Sequence, residues 1–339
     1  MSSSNINANT ANLWNTASND LNRYLPIFIY TFGIIGNFLN VLVLAQSNIR
    51  SNSSAVLFLF SSMASLIAIV SGLTSRMMSG YAVDLTLTVN WICIIRNYIL
   101  YTARTITLWL IALATIERWL ASSKHVHRRQ KSTLKNARRG IILVFIYACL
   151  INAPIIYCYR ANLSGSLRGC YGSTYACSVL TDGIYVFGTT LSPLSVMIIF
   201  GLMTINNIRH SQNRVQNIAM LPFSLEQKNT ISTVNRPQKI KKIDRHLLKM
   251  LIVQVTLLIL FTCPHAIQKF YSSAASISLT SSSQSLDIAI PNFIFNLVTL
   301  LNFTASGMPF YIYTLTGGSV FRKALFHLIK TVILKILCR

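Results

Sequence analysis

Acidic residues are nearly missing from this chain: seven Asp and Glu among 339 residues, against thirty Lys and Arg, with charged residues only 11% of the whole. A water-soluble domain carries roughly a quarter of its residues charged to cover its surface, so a soluble globular domain is excluded. Hydrophobic residues make up 53% of the chain, the mean hydropathy is +0.52, and the apolar residues come in long blocks. Lipid is therefore the solvent for most of this surface. The formal charge of +23 does not mark a nucleic-acid binder. Its basic residues sit in a few polar gaps and at the C-terminus, whereas a nucleic-acid-binding domain carries them on a water-soluble fold.

Seven apolar stretches are long enough to cross a hydrocarbon core about 30 Å thick, which takes about 20 helical residues. They cover 24–46, 55–78, 91–121, 139–158, 181–208, 243–271 and 288–313. Backbone polar groups cannot stay unpaired in lipid, so these are helices or barrel strands. Strands would be about ten residues long and alternate in polarity; these runs are twice that length and do not alternate. The predicted fold is all-α, a bundle of seven transmembrane helices (24–313), with residues 1–23 before it and a cytoplasmic tail (314–339) after it.

The gaps give the orientation. The gap after the third span holds Lys124, Arg128, Arg129, Lys131, Lys135, Arg138 and Arg139, and the gap after the fifth is similarly basic. The other side has little beyond Arg23, Arg160 and Arg168, with Asp20, Asp84, Asp182 and Asp287 nearby. Lys and Arg are enriched in cytoplasmic loops, so the N-terminus is expected outside the cell and the C-terminus in the cytosol, in the plasma membrane. Residues 1–23 are rich in Asn, Ser and Thr and are expected to be disordered. They lack a basic region followed by an apolar run, so no cleavable signal peptide is expected. Asn162-Leu163-Ser164 is a glycosylation sequon on the outer side.

Other absences weigh against further classes of function, with a membrane transporter or channel kept as the alternative reading. There is no internal repeat and no mid-membrane acid of the kind transporters carry, and no re-entrant selectivity loop for a channel. Residues 288–313 contain no Lys to hold retinal. His125, His127, His210 and His246 are scattered on the cytosolic side, and no paired catalytic carboxylates stand out, so no enzyme, metal site or cofactor is expected.

Several landmarks remain. Glu117-Arg118-Trp119 closes the third span, and Cys93 lies 25 residues before Arg118, about 37 Å up the same helix. Gly36-Asn37 stands in the first span, Pro193 in the fifth, and Pro264 after Phe261 and Cys263 in the sixth. Pro309 precedes Tyr311 and Tyr313, and Gly317-Gly318 leads to Phe321-Arg322. Together these resemble the rhodopsin-like (class A) G-protein-coupled receptors over residues ~24–330, as a divergent, invertebrate-type member similar to neuropeptide receptors. The resemblance implies a receptor that passes an extracellular ligand's signal to a heterotrimeric G protein, with kinks at Pro193, Pro264 and Pro309 and an amphipathic eighth helix. It also implies that Arg118, beside Glu117 and Trp119, bridges to Asp244 at the start of the sixth helix in the resting state and faces the G protein after activation.

The chain departs from that family where Ser65 replaces an acid, Thr262 a Trp and Met308 an Asn; the losses at Ser65 and Met308 argue against an internal sodium site. Cys93, Cys158, Cys170 and Cys177 all lie on the outer, oxidising side, where disulfides persist. The resemblance joins Cys93 to the second outer loop, with Cys170 preferred to Cys177 because it lies nearer the middle of that loop. Cys338, beside a basic-apolar stretch, is either a palmitoylation site or a free thiol.

Arg76, Arg96, Arg104 and Lys269 are ionisable residues within spans, and such residues are functional candidates by default. Arg104 lies 14 residues above Arg118, about 21 Å along the helix, at the depth where receptors of this type bind ligand. The alternative role is internal pairing, with Asp84 or Asp287, or hydrogen bonds to carbonyls. An amine receptor would place an Asp about one turn above Arg104, where Leu100-Tyr101 stand instead. A cationic, Tyr-rich site suits a peptide with an acidic or carbonyl-rich face, or an anionic small molecule; the peptide is preferred.

Overall fold

The computed structural model describes residues 2–81, 84–162, 169–219, 252–271, 285–316, 321–328 and 330. Seven of its helices are long and apolar enough to cross a membrane. They are α1 (Ser2–Leu44), α2 (Ser53–Gly80), α3 (Asn90–Ser122), α4 (Leu134–Cys158), α5 (175–219), α6 (Ile252–Tyr271) and α7 (Ser285–Gly307, resumed as Pro309–Thr316). An eighth, α8, covers 321–328. Between α4 and α5 two short strands, β1 (Tyr159–Arg160) and β2 (Tyr171–Gly172), pair antiparallel as a hairpin. This hairpin marks one end of the bundle.

Large apolar side chains face outward on α1 (Phe28, Phe32, Ile35, Phe38) and on α4 (Ile142, Leu143, Ile146, Leu150). In water such an apolar belt would drive aggregation, and in a bilayer it is the solvated surface. Without a hydrophobic force between helices in lipid, close backbone approach and interhelical hydrogen bonds hold the bundle. The α1–α7 seam shows both. A Cβ on Gly307 would stand 3.1 Å from the Gly33 Cα. Beside it, the Asn37 amide donates to the Gly33 carbonyl at 2.9 Å and across to the Ser306 carbonyl at 3.0 Å.

The expectation of a disordered segment over residues 1–23 is not met, because α1 is helical from Ser2 onward. Asn, Ser and Thr are weak helix formers, but packing overrides that preference here. Ala11, Ser18 and Asn22 are buried, Trp14 lies 5.1 Å from the Phe293 ring of α7, and the Asn296 amide donates to Ser18 Oγ at 2.6 Å. The spacing of 11, 14, 18 and 22 is one helical face, and its Trp14 and Ser18 meet α7.

The three prolines act differently. Ile184–Leu191, just before Pro193, is a π-helical segment. In that register Pro193, lacking an N–H, leaves the Gly188 carbonyl without its backbone donor. That oxygen instead accepts from Trp109 Nε1 of α3 at 3.0 Å, from Ser192 Oγ at 3.1 Å and from Tyr147 Oη of α4 at 3.4 Å. One proline thus ties α5 to two neighbours. Pro309 restarts α7 after a one-residue break at Met308, whereas α6 runs unbroken through Pro264. On α8, Phe321 is buried against Phe310 and Tyr313 while Arg322 and Lys323 are exposed, so this helix is amphipathic. Arg322 also donates to the Thr314 and Leu315 carbonyls at 2.8 and 2.9 Å, which satisfies acceptors at the end of α7.

Candidate functional site

Arg96, Leu100 and Arg104 recur every four residues on α3 and so share one face. His265 and Lys269 do the same on α6, and Asn292, Asn296 and Thr299, spaced four and three, share a face of α7. These faces meet at the hairpin end of the bundle around a cavity of about 320 Å³, also lined by Arg76 of α2, Tyr101 of α3, Ser18 and Asn22 of α1, and Tyr171 of β2. All five residues predicted to meet a ligand, Arg76, Arg96, Tyr101, Arg104 and Lys269, line this one cavity.

Neutral acceptors hold two of the cations. Arg96 donates to the carbonyls of Ser71 at 3.1 Å and Gly72 at 3.0 Å and to Asn97 Oδ1 at 3.0 Å. Arg104 is buried, and donates to the Asn302 carbonyl at 2.9 Å, to Asn302 Oδ1 and to Ser306 Oγ at 3.3 Å, with its guanidinium 5.5 Å from the Phe303 ring. It therefore ties α3 to α7. Asn302 in turn donates to Tyr185 Oη at 2.9 Å, and that hydroxyl lies 3.0 Å from His265 Nδ1. Arg76 donates to Asn296 Oδ1 and lies 5.3 Å from the Phe295 ring.

Asp84, the acid named as an alternative partner, lines the same cavity but forms no salt bridge with Arg96 or Arg104 among the described residues. Its carboxylate caps the turn Leu85–Thr88, accepting from the Thr86 N–H at 2.9 Å and from Thr86 Oγ1 at 2.6 Å. The Asp287 side chain lies outside the described residues. Lys269 has a carboxylate partner among the described residues: its Nζ lies 2.7 Å from Asp182 Oδ1, both side chains 2% exposed. Asp182 is not among the site residues that the sequence points to. The signal that could have found it is the cost of a buried unpaired lysine, set against the few acids on that side of the sequence. Nothing in the spacing of 87 residues indicates which acid it is.

Two disulfides fix the roof of the cavity. Cys93 at the start of α3 is bonded to Cys170 beside β2, with Cα atoms 5.9 Å apart. Cys158 at the end of α4 is bonded to Cys177 on α5, with Cα atoms 5.2 Å apart. The second pairing was not expected. Asn162, the sequon asparagine, is exposed with φ 56°, and its amide donates to the Thr88 carbonyl at 3.1 Å.

At the opposite end of α3, Glu117 is buried and Arg118 half-buried. Trp119 packs edge-on to Phe200 of α5 at 5.0 Å, and Arg128 lies 5.3 Å from its ring. Tyr313 of α7 is buried and donates to Gln254 Oε1 of α6 at 3.3 Å. Asp244 and Cys338, predicted as a switch partner and a lipidation site, lie outside the described residues. Between the two ends, Ser65 Oγ lies 3.3 Å from Thr107 Oγ1, and Asn40 donates to Ser62 Oγ at 2.9 Å. Hydroxyl–hydroxyl contact thus occupies the position of the missing carboxylate.

Chemically, the cavity offers donors in fixed positions and positive charge in a low-dielectric wall, a combination suited to holding an anion. No group of three or more His, Cys, Asp or Glu able to hold a metal occurs among the described residues. In comparison with known proteins, the family described as 7 transmembrane receptor (rhodopsin family) matches residues 36–313, the greater part of the chain. No curated protein matches the chain.

Proposed function

The chain belongs to the rhodopsin family of seven-transmembrane receptors, and from that premise we propose that it answers an extracellular ligand bearing an acidic group, a peptide in preference to an anionic small molecule, and activates a heterotrimeric G protein. It is a multi-pass membrane protein and a receptor by family. The orientation belongs to the proposal: the hairpin end faces outward and the Arg118 end faces the cytosol, in keeping with the basic residues of the gaps after the third and fifth spans.

One observation carries the ligand class. Among the described residues, Arg96 and Arg104 meet only neutral acceptors. A charged side chain near the middle of a membrane costs at least about 2.5–3.5 kcal/mol unless it is compensated. Carbonyl and amide oxygens compensate part of that cost, and an anion entering the cavity would compensate more. The peptide preference rests on the breadth of the lining, which draws on α1, α2, α3, α6, α7 and the hairpin. A small inorganic anion would touch only a fraction of it.

The test is expression in cells with second-messenger readouts, challenged with a peptide and metabolite library graded by charge. Activity is expected to concentrate among ligands that carry a carboxylate or another acidic group. A potent agonist that is a simple amine with no acidic group would overturn the assignment of ligand class.

A further inference from the structure

Lys269 sits in surroundings that read as a carboxylate site already filled by the protein itself. Its ammonium lies 2.7 Å from Asp182, and the rings of Tyr101, Tyr171 and Tyr185 lie 5.1, 5.2 and 5.5 Å from Nζ. The Tyr171 hydroxyl donates to the other oxygen of the same carboxylate. One carboxylate from α5 therefore joins α6 to the hairpin, and Cys170, the residue before Tyr171, joins the hairpin to α3. Lys269, Tyr101 and Tyr171 also line the cavity, so a ligand there lies beside the same ammonium that holds Asp182.

A buried ion pair contributes little net stability, because desolvation offsets most of the attraction. What is costly is leaving one partner alone. An arriving carboxylate avoids that cost for Lys269, since one anion replaces another within the same ring of tyrosines. We propose that Lys269 and its tyrosines form a carboxylate subsite in which Asp182 stands in for the ligand. A carboxylic-acid ligand exchanges with Asp182, and the exchange removes the Asp182 link that ties α5 and the hairpin to α6, leaving the Tyr185–His265 contact between the two helices. No covalent bond changes; one ion pair is traded for another, and the displaced Asp182 carboxylate keeps the Tyr171 hydroxyl as its donor. This rests on the reading of the cavity as the ligand site and adds to it a second anchor, distinct from Arg96 and Arg104, whose filling alters contacts between helices.

The subsite can be tested without the natural ligand, using acetate as the probe. In purified Asp182→Ala the stand-in is gone and Lys269 is uncompensated. Sodium acetate is expected to raise the thermal midpoint of this variant by about 3 °C or more over sodium chloride at equal ionic strength. Wild type, whose subsite is filled, should gain less, and Asp182→Ala/Lys269→Met should lose the extra gain. If Asp182→Ala cannot be purified, its surface level on cells grown with and without acetate decides in the same way: a rise supports the subsite, and no change overturns it. Equal gains in wild type and Asp182→Ala would place the acetate at the arginines; the anionic-ligand reading would then stand and this subsite would fall. No acetate-specific gain in Asp182→Ala overturns the subsite as well.

Discussion

Replacing Arg104 with glutamine is expected to lower ligand potency by at least about thirtyfold while surface expression stays near that of wild type. Removing one partner of a buried, hydrogen-bonded charge pair costs at least about 2 kcal/mol, and each 1.4 kcal/mol is about tenfold in affinity. Glutamine can still bond to Asn302, so the link from α3 to α7 is weakened rather than erased, and the fold has other ties, including the α1–α7 seam at Gly33 and Gly307. Arg104→Lys should also lose potency. An ammonium lacks the planar fork with which Arg104 spans Asn302 and Ser306, and it cannot keep both contacts while meeting a ligand. Dose–response curves at matched surface expression check this. Wild-type potency in Arg104→Gln would mean that this guanidinium only ties α3 to α7.

The second large effect concerns signalling rather than binding. Arg118→Ala should abolish G-protein activation and leave ligand binding largely intact, because Arg118 lies four turns along α3 from Arg104 and away from the cavity. Asp244→Ala, outside the described residues, should instead raise ligand-free signalling several-fold. If Arg118 and Asp244 pair only in the resting state, losing the acid shifts the population toward the active one. A partly exposed pair contributes about 1 kcal/mol, which sets the several-fold scale. The two variants must differ in sign, since losing Asp244 frees an arginine that losing Arg118 removes. Basal second messenger at matched expression decides; equal, unchanged values in both would remove the pair from the mechanism.

The parts of this molecule that were legible in the sequence are those whose physics is local or one-dimensional. Twenty apolar residues in a row must be helical in lipid, so all seven spans could be read directly. Arg76, Arg96, Arg104 and Lys269 stood out because charge is rare in such runs, and they do gather around one cavity. What stayed hidden depended on contacts between distant segments. The composition of residues 1–23 argues for irregular chain, whereas the docking of Trp14 and Ser18 on α7 favours the helix that runs from Ser2. Asp182, at the outer end of the fifth span, looked like an ordinary outer-side charge until α5 and α6 came together. The Cys158–Cys177 bond needed the α4 and α5 ends side by side. Pro193 signalled a disturbance in α5, but the π-helical register and the transfer of the Gly188 carbonyl to Trp109 and Tyr147 follow from neighbours that no local pattern encodes.

The central claim is that a cationic cavity reads an acidic group on the ligand, and one binding measurement addresses it most directly. Once an agonist is in hand, its affinity is measured as the free acid and as the neutral amide, on purified wild type and on Arg96→Gln/Arg104→Gln. Neutralising the acid is expected to weaken binding to wild type by at least about thirtyfold and to change binding to the double variant less, because two of the cations it would meet are gone while Arg76 and Lys269 remain. An amide that binds wild type as tightly as the acid would contradict the claim.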